Sequence, residues 1–156
     1  MTMREGRVTG LQRSAGGVPK LPVARATVGA DGMEGDRQAD RRHHGGRDRA
    51  LCLYSQERLD GLAAEGHPAR RGTLGENVTI SGLDWDLVQP GARLRIGGIE
   101  AQVTGFAAPC KSIAYGFIDR RFVRVGEALN PGWSRVYARV LAGGDIADGD
   151  PVVLLP

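Results

Sequence analysis

Pro109-Cys110-Lys111-Ser112 is the place in this chain where a reactive thiol can be argued from residue types alone. It follows the apolar run Phe106-Ala107-Ala108. Proline fixes the local backbone and cannot extend a strand ladder, so the cysteine is expected to leave its sheet at the rim. A lysine next to it favours the thiolate, the form that ligates a soft metal or carries sulfur. The competing reading is a buried structural thiol, the commoner fate of a single cysteine. Cys52, between Leu51 and Leu53, reads as such a core filler.

Two further polar groupings could do chemistry. Glu34 to Arg49 is too poor in apolar residues to be core, and it carries Gly35-Asp36-Arg37, Asp40, Arg41, Arg42, His43, His44-Gly45-Gly46 and Arg49. A polar loop of that length is usually functional or disordered. Adjacent histidines in an extended segment point opposite ways, and there is no His-x-x-x-His, so a zinc site built from protein ligands alone is not expected. His44 stands apart from His43 and His67, which read as solvated, because it precedes glycines whose bare N–H groups can approach an anion. Gly75-Glu76-Asn77 is either a turn with a solvated carboxylate, or a carboxylate and an amide placed to hydrogen-bond a planar heterocycle. No Ser-His-Asp order, phosphate loop or dinucleotide fingerprint is present. Asp148 and Asp150 read as turn residues.

The elements that must position these groups are short strands. Arg7 to Leu11, Val23 to Val28, Ala50 to Tyr54, Val78 to Ile80, Arg135 to Leu141 and Pro151 to Leu155 read as strands. Leu94 and Ile96 alternate with arginines, Gly97-Gly98 makes a two-residue turn, and Ile99, Ala101 and Val103 alternate on the return. Ser55 offers an N-cap to a helix with Leu59, Leu62 and Ala63 on one face, ending near Gly66. Lys111 to Phe117 reads as a short helical turn. About seven or eight strands with one or two helices fit a closed or partly open β-barrel, which removes exposed edges.

The whole chain, residues 1–156, reads as one domain without linker or repeat. Its 24 glycines and few aromatics suit many turns. A net charge of +3 with interleaved acids gives no nucleic-acid stripe. Lys20 and Lys111 are the only lysines; the remaining basic residues are arginines, either a compositional bias or a sign of phosphate binding. The polar start and the lack of a long apolar run imply a cytoplasmic protein with no membrane partner.

Taken in order, five motifs resemble the MOSC family, named for the C-terminal domain of molybdenum-cofactor sulfurase. They are Gly32-Met33-Glu34-Gly35-Asp36-Arg37, His44-Gly45-Gly46 with Arg49-Ala50, Gly72 to Val78, Pro109-Cys110, and Gly143-Gly144-Asp145 with Gly149-Asp150. The resemblance implies a compact stand-alone member with a mainly β, barrel-like fold. It further implies a molybdenum-dependent oxidoreductase in which Cys110 is catalytic and ligates molybdenum bound by the pterin cofactor. Gly35, Asp36, Arg37, His44, Gly45, Gly46, Arg49, Glu76, Asn77 and Lys111 would line that cofactor. Reduction of a small N-hydroxylated compound would then need a separate electron-donor protein. A sulfur carrier, with a persulfide placed on Cys110 by a cysteine desulfurase, is the second function the resemblance implies. A non-enzymatic small-ligand barrel is the third possibility. Two departures stand out: the residues before Pro109 are apolar where a basic one is expected, and Lys111 replaces an aromatic.

Overall fold

The computed structural model describes residues 3–37 and 46–156. Its main sheet contains β1 (Glu5–Arg13), β2 (Leu21–Val23), β5 (Leu51–Ser55), β6 (Val78–Ser81), β7 (Arg93–Ile96), β8 (Ile99–Phe106), β9 (Val136–Ala142) and β11 (Pro151–Leu154). A three-stranded sheet holds β3 (Arg25–Gly29), β4 (Gly32–Met33) and β10 (Gly144–Ala147). Among the described residues there is one α-helix, α1 (Gln56–Ala64), and there are four short 3-10 turns.

Seven strands close into a barrel in the order β1-β11-β7-β8-β9-β5-β6 and back to β1. The long first strand makes closure possible by dividing one edge between two partners. Glu5 to Arg7 pair with β11, while Leu11 to Arg13 pair with β2. β2 is therefore an extra strand on the barrel, and as an edge it tolerates Pro22, which has no N–H to donate. All neighbours are antiparallel except β5 and β6. A parallel pair needs a crossover, and α1 with the following loop supplies it. Ser55 starts that helix by accepting a hydrogen bond from the Arg58 N–H at 3.1 Å.

Alternation fills the interior. Ile99, Ala101 and Val103 of β8 face Leu94 and Ile96 of β7, Val136 and Ala138 of β9, and Leu51 and Leu53 of β5, all buried. A barrel of this size has room only for side chains inside. The fold is thus mainly β, as the sequence predicts, with all seven barrel strands foreseen. The predicted strand from Val23 to Val28 is in fact two, because the chain changes sheet at Ala24 between β2 and β3. β4 and β10 lie in glycine-rich stretches not predicted as strands from the sequence; three glycines there, Gly32, Gly143 and Gly144, let backbones approach closely, since a Cβ at each would strike a neighbouring carbonyl.

Candidate functional site

Register decides where the site lies. Cys52 sits opposite Tyr137, with Leu51 opposite Ala138 and Leu53 opposite Val136. Successive strand residues face opposite ways, so Cys52, Tyr137 and Arg135 turn away from the aliphatic interior. A cavity of about 350 Å³ is built on that outer face and includes all three. Three segments roof it: the loop with Gly17, Val18 and Lys20, the turn at Leu74 and Gly75, and the stretch from Ala108 to Ile113. The sequence placed the thiol at the rim of a barrel. The structure puts it on a pocket against the barrel's outer wall, because the interior is already filled.

Cys110 stands half-buried on this cavity, just before the 3-10 turn Lys111–Gly116. Its backbone is extended, and its carbonyl accepts from the Ile113 N–H at 3.1 Å, which fixes the turn. The Ser112 hydroxyl lies 2.8 Å from its sulfur. Cys52 shares the cavity wall, but burial pushes its thiol up to about 11. Cys52 therefore remains protonated at neutral pH, and a thiol, unlike a thiolate, is a poor nucleophile or ligand. Cys110 is the sulfur available for chemistry.

The charges around it are unevenly compensated. Lys20, 6% exposed, bonds both oxygens of Asp36 at 2.7 Å, and Asp36 also accepts from the Ser14 N–H. Lys111 is exposed at the mouth. Arg135 is the unusual one. It is buried to 6% exposure and donates only to backbone carbonyls, to Leu74 at 2.7 Å and to Ala107 and Ala108 at 3.4 and 3.5 Å. Its Nε has no partner, and none of the described carboxylates pairs with it. A buried cation without a direct ion pair is costly, so this cavity favours an anionic guest.

Glu76 and Asn77 are both fully buried and stand behind the cavity, which presents Gly75. Asn77 accepts from the Cys52 N–H at 3.0 Å and donates to the Gln12 carbonyl at 3.3 Å, tying β1 to β5. Glu76 accepts from the Gly72 N–H at 3.0 Å and so draws the turn together. Gly72 must be glycine: its φ is +85°, and a Cβ would collide with the Lys20 carbonyl. Asp36 likewise meets the cavity only through Lys20, and Gly35 and Arg37 lie exposed beyond it. Arg49 stacks over Tyr137 at 5.5 Å and lines a second cavity of about 290 Å³. The two cavities share Ala108 and Tyr137. Gly46 begins the 3-10 turn Arg47–Arg49 that carries Arg49, while His44 and Gly45 lie outside the described residues.

Sequence reasoning missed Lys20, Arg135 and Tyr137 as cavity residues. One signal was present: the chain has only two lysines, and both line this pocket. Arg135 and Tyr137 also alternate along a predicted strand, which places them on one face.

Comparison with known proteins adds the following. The MOSC domain family matches residues 40–153. An uncharacterized Bacillus subtilis (strain 168) protein, YflK, is 31% identical over 141 residues, covering 89% of this chain and 63% of its own length. Protein YiiM of Escherichia coli (strain K12) is 33% identical over 133 residues, covering 80% of this chain and 56% of that protein. The chain thus spans less than two thirds of either relative. The crystal structure of YiiM from Geobacillus stearothermophilus superposes with a TM-score of 0.74 at 28% identity, over 97% of this chain and 75% of that one.

Proposed function

Because this chain belongs to the MOSC domain family, we propose that it binds the molybdenum cofactor through Cys110 and reduces small N-hydroxylated compounds. The observation that carries this reading is the meeting of an accessible thiol and a buried arginine without an ion pair on one cavity. At about 350 Å³ it lies within the usual range for a small-molecule site. Among the described residues no three His, Cys, Asp or Glu side chains gather as a metal-binding group. A single thiolate suits a metal that arrives with its other soft ligands attached. When bound, the cofactor would supply two-electron chemistry at molybdenum.

The protein's part is to bind and orient. Cys110 would donate its thiolate, with the Ser112 hydroxyl steadying the sulfur. Arg135 and Lys111 would hold anionic groups of the cofactor, and the Gly75 backbone would permit close approach. The Lys20–Asp36 pair, already neutral, would fix the roof without adding charge. The adjoining cavity at Arg49, Phe106 and Tyr137, which shares Ala108 and Tyr137 with the first, would offer space for a substrate. A separate protein would deliver electrons, and the setting would be cytoplasmic. No described helix is long and apolar enough to cross a membrane.

The test is the molybdenum and pterin content of protein made in a molybdenum-replete host. Wild type should carry both in near-equal amounts, and Cys110→Ser should lose the metal while unfolding at the same temperature. Protein free of both, but gaining one sulfur atom in mass after treatment with a cysteine desulfurase, would replace this reading with sulfur carriage on Cys110.

A further inference from the structure

Two buried groups of opposite sign lie beside the thiol cavity without meeting. Arg135 reaches it from the residue before β9, its buried Nε unpartnered, and Glu76 lies behind it with its Oε2 unpartnered. Both grip the same turn. Arg135 holds the Leu74 carbonyl at 2.7 Å, and Glu76 holds the Gly72 N–H at 3.0 Å. They make no ion pair, yet the positive field of Arg135 reaches the carboxyl. Burial is the larger influence and pushes Glu76 up to about 7.

The other titratable groups near Glu76 are Cys52 and Tyr54 on β5 and Tyr115 in the 3-10 turn, each held above its ordinary value by burial and hence neutral at pH 7. Lys20 and Asp36, which with Glu76 also act on Cys52, cancel one another. Arg135 is therefore the full charge that acts on Glu76, beside burial, which raises it, and backbone N–H donors at Glu76, Gly72 and Leu74, which lower it.

We propose that the cavity takes its guest through an oxyanion seated against Arg135, and that this seating is proton-linked, Glu76 gaining a proton as the anion arrives. An anion on the cavity side of the guanidinium offsets the field that keeps Glu76 ionised, and it adds a second negative charge nearby. Both effects favour the protonated carboxyl. Affinity is then flat at acid pH, where Glu76 already holds its proton, and falls as pH rises past about 7. The fall cannot exceed about tenfold per pH unit for one proton. This inference shares its cavity with the cofactor reading but does not need the cofactor.

Inorganic sulfate is the probe, because it stays divalent across the range. Calorimetric titration of cofactor-free protein from pH 5.5 to 8.5, in buffers of unlike ionisation heat, reads affinity and proton uptake together. Wild type should bind saturably, take up protons near neutrality, and lose about tenfold in affinity between pH 6 and 8. Glu76→Gln should bind with no such slope. Arg135→Met should lose binding by tenfold or more, and Arg135→Lys, which keeps the charge if the methionine variant does not fold, should bind more weakly with the slope retained. Phenyl phosphate run alongside separates two sources of the oxyanion: tighter binding than sulfate marks a group carried on a larger ligand, and equal binding marks a free ion. No saturable binding by folded wild type at pH 6, equal affinity in Arg135→Met, or an unchanged slope in Glu76→Gln would overturn the proposal. Sulfate binding in protein that acquires no molybdenum would sink the cofactor reading alone.

Discussion

At the residue scale, Glu76 sets the pH dependence of folding as well as the shape of its turn. Its ordinary value is 4.5, and burial raises it to about 7 in the fold. Between those limits the folded protein holds a proton that the unfolded chain releases. The contribution of Glu76 to stability therefore falls as pH rises from 4.5 to about 7 and is level above. Glu76→Gln keeps an acceptor for the Gly72 N–H and removes the titration. Denaturant unfolding should show wild type losing about 3 kcal/mol relative to that variant across this window, an order-of-magnitude figure. A parallel pH dependence in the two proteins would contradict the assignment.

At the element scale, α1 is the crossover that allows the parallel pair β5–β6, so its start influences both strands. Replacing Ser55 by alanine removes the acceptor for the Arg58 N–H and should cost about 1 kcal/mol in thermal or denaturant unfolding. This start was legible in the sequence because capping is local: one hydroxyl before a helical repeat suffices. The hairpin of β7 and β8 was legible for the same reason, its turn and alternation lying within fourteen residues, 93 to 106. β10 was not, since it pairs with β3 more than a hundred residues earlier and reads locally as a turn between glycines. The site divided in the same way. Cys110 announced itself beside a proline, whereas Arg135 gained its meaning only when Leu74 and Ala107 were brought to it by the fold. The burial of Glu76 and Asn77 was not legible: polar residues in a turn read as solvated or ligand-facing, and nothing local reveals that backbone groups will take them inside.

At the scale of the whole molecule, the barrel is sealed by the pairing of β1 with β11. β11 lies between β1 and β7, and its Val152 and Leu154 are buried in the shared core. Leu154→Ala should destabilise the protein by about 3 kcal/mol, within the range for a buried leucine. Hydrogen exchange should rise in β1 and β7 together, although they are far apart in sequence. Faster exchange confined to the last strand would mean that it merely leans on a sheet already closed.

Because the pocket is mounted on the outside of β5 and β9, odd and even positions along these strands answer to different masters. Leu51, Leu53, Val136 and Ala138 serve cohesion, while Cys52, Arg135 and Tyr137 line the outer cavity. The lining of the cavity can consequently be altered by swapping outward side chains on an untouched chassis, and Tyr137, shared by both cavities, is the natural first position to change.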